Sequence, residues 1–447
     1  MVELVQAGYS ATHLKTLVAE ILDEARKQGA TAAEVDVGAN KGFSVTVRKG
    51  DVESVEYHQD KVIDITVYFG KRSGSSSLSD FRPEAIRLAI QAACNIARFT
   101  DEDPCSGLAD KSSLAFNYPE LELAYPWSIT VEQAIEMSKK CEAIALAYDK
   151  RITNSDGASI STMEAWNVYG NSEGFIGIFP VTRHEMSCML IASEGEDMQR
   201  DYSYTVACDP QLLTSVDRIA EEAAKRTVSR LNAQCLTTRR VPVIFAAEEA
   251  RGLLGHFMTA ITGSNLYRKT SFLLDHLGKP IFPSHISIDE RPHLAKGLGS
   301  APFDDDGVAT RPNVFIKDGI LQSYSLGVYA ARKLEMQTTG NADGAHNLFI
   351  TTGKKELPAL LKTMGTGLLV TELMGQGINL VNGDYSRGAA GYWIENGEIQ
   401  YPVEEITIAG NLQDMYKNLV EVGADVDVRG NIRTGSILLE EMMVAGD

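Results

Sequence analysis

The chain has 447 residues, enough for two or three domains with ample material for a buried core. Its net charge of −18, from 42 Lys and Arg against 60 Asp and Glu, argues against a nucleic-acid surface or an anionic membrane surface, because both need clustered cations. Residues 1–10 carry no basic or apolar leader pattern, and nowhere do about eighteen apolar residues run together, so the expectation is a cytoplasmic protein with no membrane span.

Helical signals open the chain. Ser10 reads as an N-cap, Leu14, Leu17, Val18, Ile21 and Leu22 repeat at helical spacing, and Gly29 closes the segment. Five short strand-like runs follow at 35–39, 43–48, 52–57, 62–69 and 72–78, divided by Lys49-Gly50-Asp51 and Gln59-Asp60-Lys61. An amphipathic helix over 83–98 would cover one face of that meander, giving an α+β layer. Residues 101–125 lapse into Pro, Ser and Asp and read as a long surface connection. A helix over 131–148, a strand-rich block to Cys208 and a helix over 212–231 then repeat the order helix, strands, helix, without residue-level self-similarity.

Near residue 238 the character changes, and a domain boundary is placed there: an N-terminal α+β domain of mixed helix and antiparallel sheet over 1–237, and a β-rich C-terminal domain over 238–447. A buried-type strand over 241–245 leads directly into a helix. Residues 297–307, 314–319 and 394–399 look like strands and tight hairpins, the latter two with Asp-Gly and Asn-Gly turns. Helices are expected over 357–364 and 412–420.

The helix after 246 holds the chemistry in question. Leu253, Leu254, Phe257, Met258 and Ile261 form one apolar stripe at helical spacing, so Leu253 reads as packing. Glu248 and Glu249 form an acidic first turn favoured by the helix dipole. Glu249 and His256 project from roughly one face, but their seven-residue spacing puts them about 10 Å apart along the axis, too far to share one ion. The dipeptide His184-Glu185 lies in an alternating, strand-like stretch with no second histidine placed to join it. Cys94, Cys105, Cys141, Cys188, Cys208 and Cys235 show neither a Cys-x-x-Cys pair nor a regular framework, and read as reduced, mostly buried thiols. A Gly-x-Ser-x-Gly elbow is missing, and Gly278-Lys279 and Gly353-Lys354 lack a phosphate-loop pattern.

Several blocks carry a resemblance: Ala246 through His256, Tyr267 through Asp275, Ile316-Lys317-Asp318-Gly319, Ala330 through Leu334, Met364 through Gly377, and Gly383 through Trp393 continued to Val403. On these the chain resembles the TldD/PmbA metallopeptidase family, in its PmbA (TldE) branch, over almost its whole length. In the catalytic, TldD-like branch the helix reads His-Glu-x-x-x-His, two metal-binding histidines beside a glutamate available as general base, with a further cysteine ligand near the C-terminus. Laid on this chain, those helix places fall on Glu248, Glu249 and Leu253, and the segment Gly430 through Ser436 offers no thiol.

The resemblance implies a cytoplasmic complex in which a TldD-like catalytic subunit holds zinc or another divalent metal, and the pair cleaves unfolded or flexible peptides, including maturation of a peptide antibiotic and turnover of an antitoxin. This chain would then carry no metal of its own and no intact catalytic set, Glu248, Glu249 and Leu253 being degenerate positions. The family is also described as modulating DNA gyrase, which the acidic charge does not support as direct DNA binding. Two other readings stay open: a self-sufficient metallopeptidase homodimer using Glu248, Glu249 or His256, and a non-enzymatic regulatory binding protein. For the glycine-dense run 383–391, one reading is turns between core strands. The other is a strand that pairs with a peptide backbone, with Tyr385, Arg387, Tyr392 and Glu395 nearest the substrate or partner.

Overall fold

A computed structural model describes residues 10–446; residues 1–9, on which the leader reading largely rests, lie outside the described residues. Ser10 accepts a hydrogen bond from the His13 backbone N–H and starts helix α1 (Ala11–Lys27). Strands β1 (Ala32–Arg48), β2 (Asp51–Phe69) and β3 (Arg72–Leu78) lead to α2 (Pro83–Phe99). After the irregular connection, α3 (Val131–Ala147) begins with a Thr130/Gln133 capping box, and β4 (Ile152–Asn171), β5 (Ile176–Glu194), β6 (Asp197–Ala207) and α4 (Val216–Ser229) follow. The six strands form one antiparallel sheet in the order β3-β2-β1-β4-β5-β6. That order is symmetric about the β1–β4 pair, so the repeated helix-strands-helix pattern is a repeat of topology.

The strands are longer and fewer than the expected runs. Lys49 and Gly50 make a turn with φ of 54° and 79°, as their turn chemistry suggests. Gln59-Asp60-Lys61 does not turn: these residues pair in register with Lys41, Asn40 and Ala39 of β1, and the polar sequence is tolerated because this part of β2 is exposed on both faces. Val35, Val37, Val45 and Val47 of β1 point to one face, where α1 and α2 cover one end and α3 the other. Tyr169 on the opposite face packs with Phe175 and Phe303, which joins this sheet to the second half of the chain.

The second half begins with β7 (Arg239–Phe245), α5 (Ala247–Ala260) and α6 (Gly263–Tyr267), continues through β8 (Ile288–Glu290), β9 (Asn313–Lys317), β10 (Ile320–Leu321), α7 (Val328–Lys333), β11 (Leu348–Ile350), α8 (Leu357–Met364), β12 (Gly367–Met374), β13 (Asp384–Glu395) and β14 (Glu398–Asn411), and ends with α9 (Leu412–Lys417), β15 (Leu419–Val422), β16 (Ile432–Arg433) and β17 (Ile437–Ala445). β14, β13, β12, β7 and β17 close on themselves because β14 also pairs with β17; β15 extends the group, and β10-β9-β8-β11-β16 form a separate small sheet. With helices set against antiparallel and mixed sheets, the fold is α+β, as expected. The stripe Leu253, Leu254, Phe257, Met258 and Ile261 lies inside the largest core of this half.

Further stretches depart from the sequence reading, and the helix expected over 412–420 ends at Lys417, where the chain turns into β15 (Leu419–Val422). Residues 297–307 form a loop, not strands: Asp304 accepts backbone N–H bonds from Asp306 and Val308, which curls the chain through Gly307 at φ 73°. The run 383–391 is not a set of turns but lies almost wholly in β13. Its Gly391 serves close approach, since a Cβ there would fall 1.9 Å from the Leu369 carbonyl oxygen of β12. Among the described residues no helix is long and apolar enough to cross a membrane.

Candidate functional site

Helix α5 starts immediately after β7, and its first turn is held against the C-terminal segment by Ser436, whose hydroxyl accepts from the Ala247 N–H at 3.1 Å and donates to Asp425 at 2.6 Å. This brings the two segments singled out in the sequence into one place. Glu248, Glu249, Arg251, Arg387, Asn431 and Ile432 line a cleft of about 390 Å³ between α5, β13 and residues 430–432.

Arginine fills the electrostatic role in that cleft. The Glu248 carboxylate accepts from Arg226 at 2.9 Å, from Arg429 at 3.2 Å and from the Tyr202 hydroxyl at 3.3 Å. Arg226 also meets Asp201 at 3.2 Å, and Arg230 pairs with both Asp201 and Glu372. Arg429 holds Asp427 at 2.9 Å, Arg251 lies 3.6 Å from the same carboxylate, and Arg251 donates to the Tyr204 hydroxyl at 3.0 Å. Burial alone would raise the Glu248 carboxyl, but Arg226 and Arg429 outweigh it and hold the group below the usual range. Glu249 has no such partner: burial first, and then the neighbouring Glu248, push it up to about 7 against the opposing pull of Arg387. Burial and then Arg387 push the His256 imidazole down, so it is neutral at pH 7, and its Nε2 is buried without a hydrogen-bond partner.

The donor set therefore does not fit the metal that the family implies. Glu248 is neutralised by two guanidinium groups, Leu253 is 3% exposed in the core, and residues 430–432 contribute no thiol or imidazole. His256 turns toward Tyr385, with ring centroids 6.2 Å apart, and not toward Glu248. Among the described residues, no group of three or more His, Cys, Asp and Glu is placed to hold an ion. All six cysteines are free thiols; Cys94, Cys141, Cys188 and Cys208 are buried, Cys105 is half-buried and Cys235 exposed.

The four β13 residues named in the sequence divide among different surroundings. Tyr385 is 1% exposed and packs against Phe245 and His256, so it forms part of the core rather than a contact surface. Arg387 lines the cleft. Tyr392 is half-buried and hydrogen-bonded at 2.6 Å to Ser229 of α4, while Glu395 is exposed near the hairpin tip and accepts from Trp393 Nε1 at 2.9 Å. β13 offers no free edge for an added strand, because β14 lies on one side and β12, extended by Gly377 and Ile378, on the other. The arginine-carboxylate network went unseen in the sequence; its one local trace is Asp427-Val428-Arg429, an i, i+2 acid-base pair next to the 430–432 segment.

A larger cavity, about 500 Å³, opens where the first sheet meets the second half of the chain, and Asp36, Asp304, Asp305, Asp343 and His346 face it. Withdrawal from water, and then repulsion by Asp305, Asp64 and Glu34, push Asp36 up to about 7; burial and then Asp306 do the same for Asp304. A carboxyl whose folded pKa lies above its unfolded value stabilises the fold fully below about pH 4, and that contribution is lost as pH rises through the folded value near 7. The thermal midpoint is therefore expected to fall between pH 5 and 8, and Asp36→Asn is expected to flatten the slope in that window. Differential scanning calorimetry at several pH values checks this; a wild-type midpoint that rises across the window would contradict it. Glu248 and Asp427, held low by arginines, titrate below this window and act in the opposite sense there.

Family models match nearly the whole chain in three consecutive parts: PmbA/TldA metallopeptidase domain 1 over 33–97, the central domain over 124–231 and the C-terminal domain over 238–446. Metalloprotease PmbA of Escherichia coli O157:H7 is 50% identical over 93% of this chain and 92% of its own length. A crystal structure from Bacteroides thetaiotaomicron, of a protein described as a modulator of DNA gyrase, superposes with a TM-score of 0.92 at 28% identity and covers 97% of this chain and 99% of its own. TldE from Thermococcus kodakarensis shares the fold, with a TM-score of 0.84 at 21% identity over 96% of this chain and all of its own. A relative of such identity and coverage, together with family models spanning both halves, means that the chain belongs to the PmbA/TldD metallopeptidase family.

Proposed function

We propose that this chain is the PmbA/TldE-type subunit of a cytoplasmic heteromeric metallopeptidase, in which a TldD-like partner holds the catalytic zinc or other divalent metal and this chain helps enclose an unfolded peptide. It supplies walls and contacts, not the hydrolytic chemistry. The observation that carries this reading is the occupation of the α5 cleft by arginine: Arg226 and Arg429 take up the carboxylate of Glu248, at a place where the resemblance puts a metal-binding histidine. A cation brought there would meet positive charge at close range.

Cleavage of a disordered peptide by this chain, by a TldD-like chain and by their mixture tests the division of labour. Hydrolysis is expected from the mixture and not from this chain alone. Zinc analysis of the purified chain should give far less than one equivalent. About one tightly held zinc per chain, with hydrolysis by the isolated protein, would instead establish the self-sufficient homodimer. Cleavage unaffected by adding this chain to its partner would favour a regulatory binding protein.

A further inference from the structure

Arg226, Arg230, Arg251 and Arg429 around the cleft all have carboxylate partners. Arg387 has none: it is half-buried, lines the cleft and forms no ion pair among the described residues, and its Nε is closed off from solvent without a hydrogen-bond partner. The buried Tyr385 hydroxyl beside it interacts with the Arg387 guanidinium without forming a well-aligned hydrogen bond. Glu249 faces the same cleft, and its carboxylate neither accepts a hydrogen bond nor lies within 4.0 Å of a cationic nitrogen among the described residues. A half-buried guanidinium and a half-buried carboxyl thus look into one cleft without joining. The Arg387 Nε forgoes the hydrogen bond that water or a partner would give.

The chemistry of what would satisfy both is narrow. Arg387 needs an acceptor and Glu249 a donor. A carboxylate would serve Arg387 but be repelled by Glu249 whenever that carboxyl is ionised; an ammonium group or a metal ion would serve Glu249 but face Arg387 and Arg251. A neutral amide offers a carbonyl oxygen and an N–H together. We propose that Arg387 and Glu249 clamp the main chain of an extended polypeptide in this cleft, Arg387 donating to a carbonyl oxygen and Glu249 accepting from an N–H. The clamp rests on the reading that this chain contacts the peptide, but it requires neither the partner nor cleavage.

The test is a calorimetric titration of the purified full chain with a short Gly, Ala, Ser and Thr peptide blocked at both ends, with its free-carboxylate form, and with an analogue in which alternate amides are replaced by esters. The blocked peptide is expected to bind and the ester analogue to bind about tenfold more weakly or worse, since it lacks N–H groups for Glu249. Arg387→Ala and Glu249→Ala are each expected to lose about tenfold or more, and the double variant much less than the product of the two, because one bound segment bridges both residues. Arg387→Met serves in place of Arg387→Ala should circular dichroism show the latter unfolded. No binding of the blocked peptide at millimolar concentration, equal binding of the ester analogue, tighter binding of the free-carboxylate form, or wild-type affinity in the variants would each overturn the clamp. If any of these is found while the mixture with a TldD-like chain still cleaves, the division of labour stands and the clamp alone is lost.

Discussion

Arg226→Ala is expected to lower the unfolding free energy by about 3–5 kcal/mol, the usual cost of breaking a buried ion pair from one side. Arg226 lies between Asp201 and Glu248, whose side chains are only 6% and 13% exposed. Its removal leaves two carboxylates with reduced access to water and only part of their pairing, Arg230 for Asp201 and Arg429 for Glu248. Arg387→Ala provides the contrast. That guanidinium has no carboxylate partner among the described residues, so its loss is expected to change stability by less than about 1 kcal/mol. Urea unfolding of both variants decides the matter. Equal losses would show that the network carries no more weight than a lone arginine.

Leu253→His is expected to cost about 2–5 kcal/mol and to bring no stoichiometric zinc, although it restores one histidine of the catalytic pattern. Leu253 is enclosed by the core of the second half, so an imidazole there exchanges apolar packing for polar atoms with no partner. The neighbouring donor position stays blocked, because Glu248 remains tied to Arg226 and Arg429. Leu253→Met, which conserves volume, is expected to cost less than about 1.5 kcal/mol. Thermal unfolding combined with metal analysis measures both effects. A tightly bound zinc equivalent in Leu253→His at neutral pH would show that the cleft is one substitution from a metal site, and would weaken the accessory-subunit reading.

Much of the fold was legible where physics is local. The α5 stripe, the Ser10 cap, the Lys49-Gly50 turn and helix α8 over Leu357–Met364 follow from side-chain spacing and turn chemistry within a few residues. Strand lengths were not legible. The polar triplet Gln59-Asp60-Lys61 carries turn-forming residues, yet register against β1 runs straight through it, because hairpin pairing on a surface open to water places no demand for apolar side chains there. The glycines of 383–391 carry the same ambiguity. Glycine permits a turn and permits close backbone approach, and only the position of Leu369 on β12 selects the second.

The candidate site divides in the same way. The sequence by itself determined that the α5 helix carries Glu248 and Leu253 at the two places where the resemblance puts metal-binding histidines, and that residues 430–436 bring no cysteine. Tertiary structure alone decided what stands there instead. Arg226 from α4, Arg251 from α5, Arg387 from β13 and Arg429 from the C-terminal loop are separated by up to about two hundred residues of chain and meet around one first turn. Periodicity records which face of an element is apolar, because that depends on neighbours three or four residues away. Ion pairing depends on distances of a few ångströms between segments remote in sequence, so the charge that surrounds Glu248, and the lack of a carboxylate partner for Arg387 among the described residues, exist only once the chain has packed.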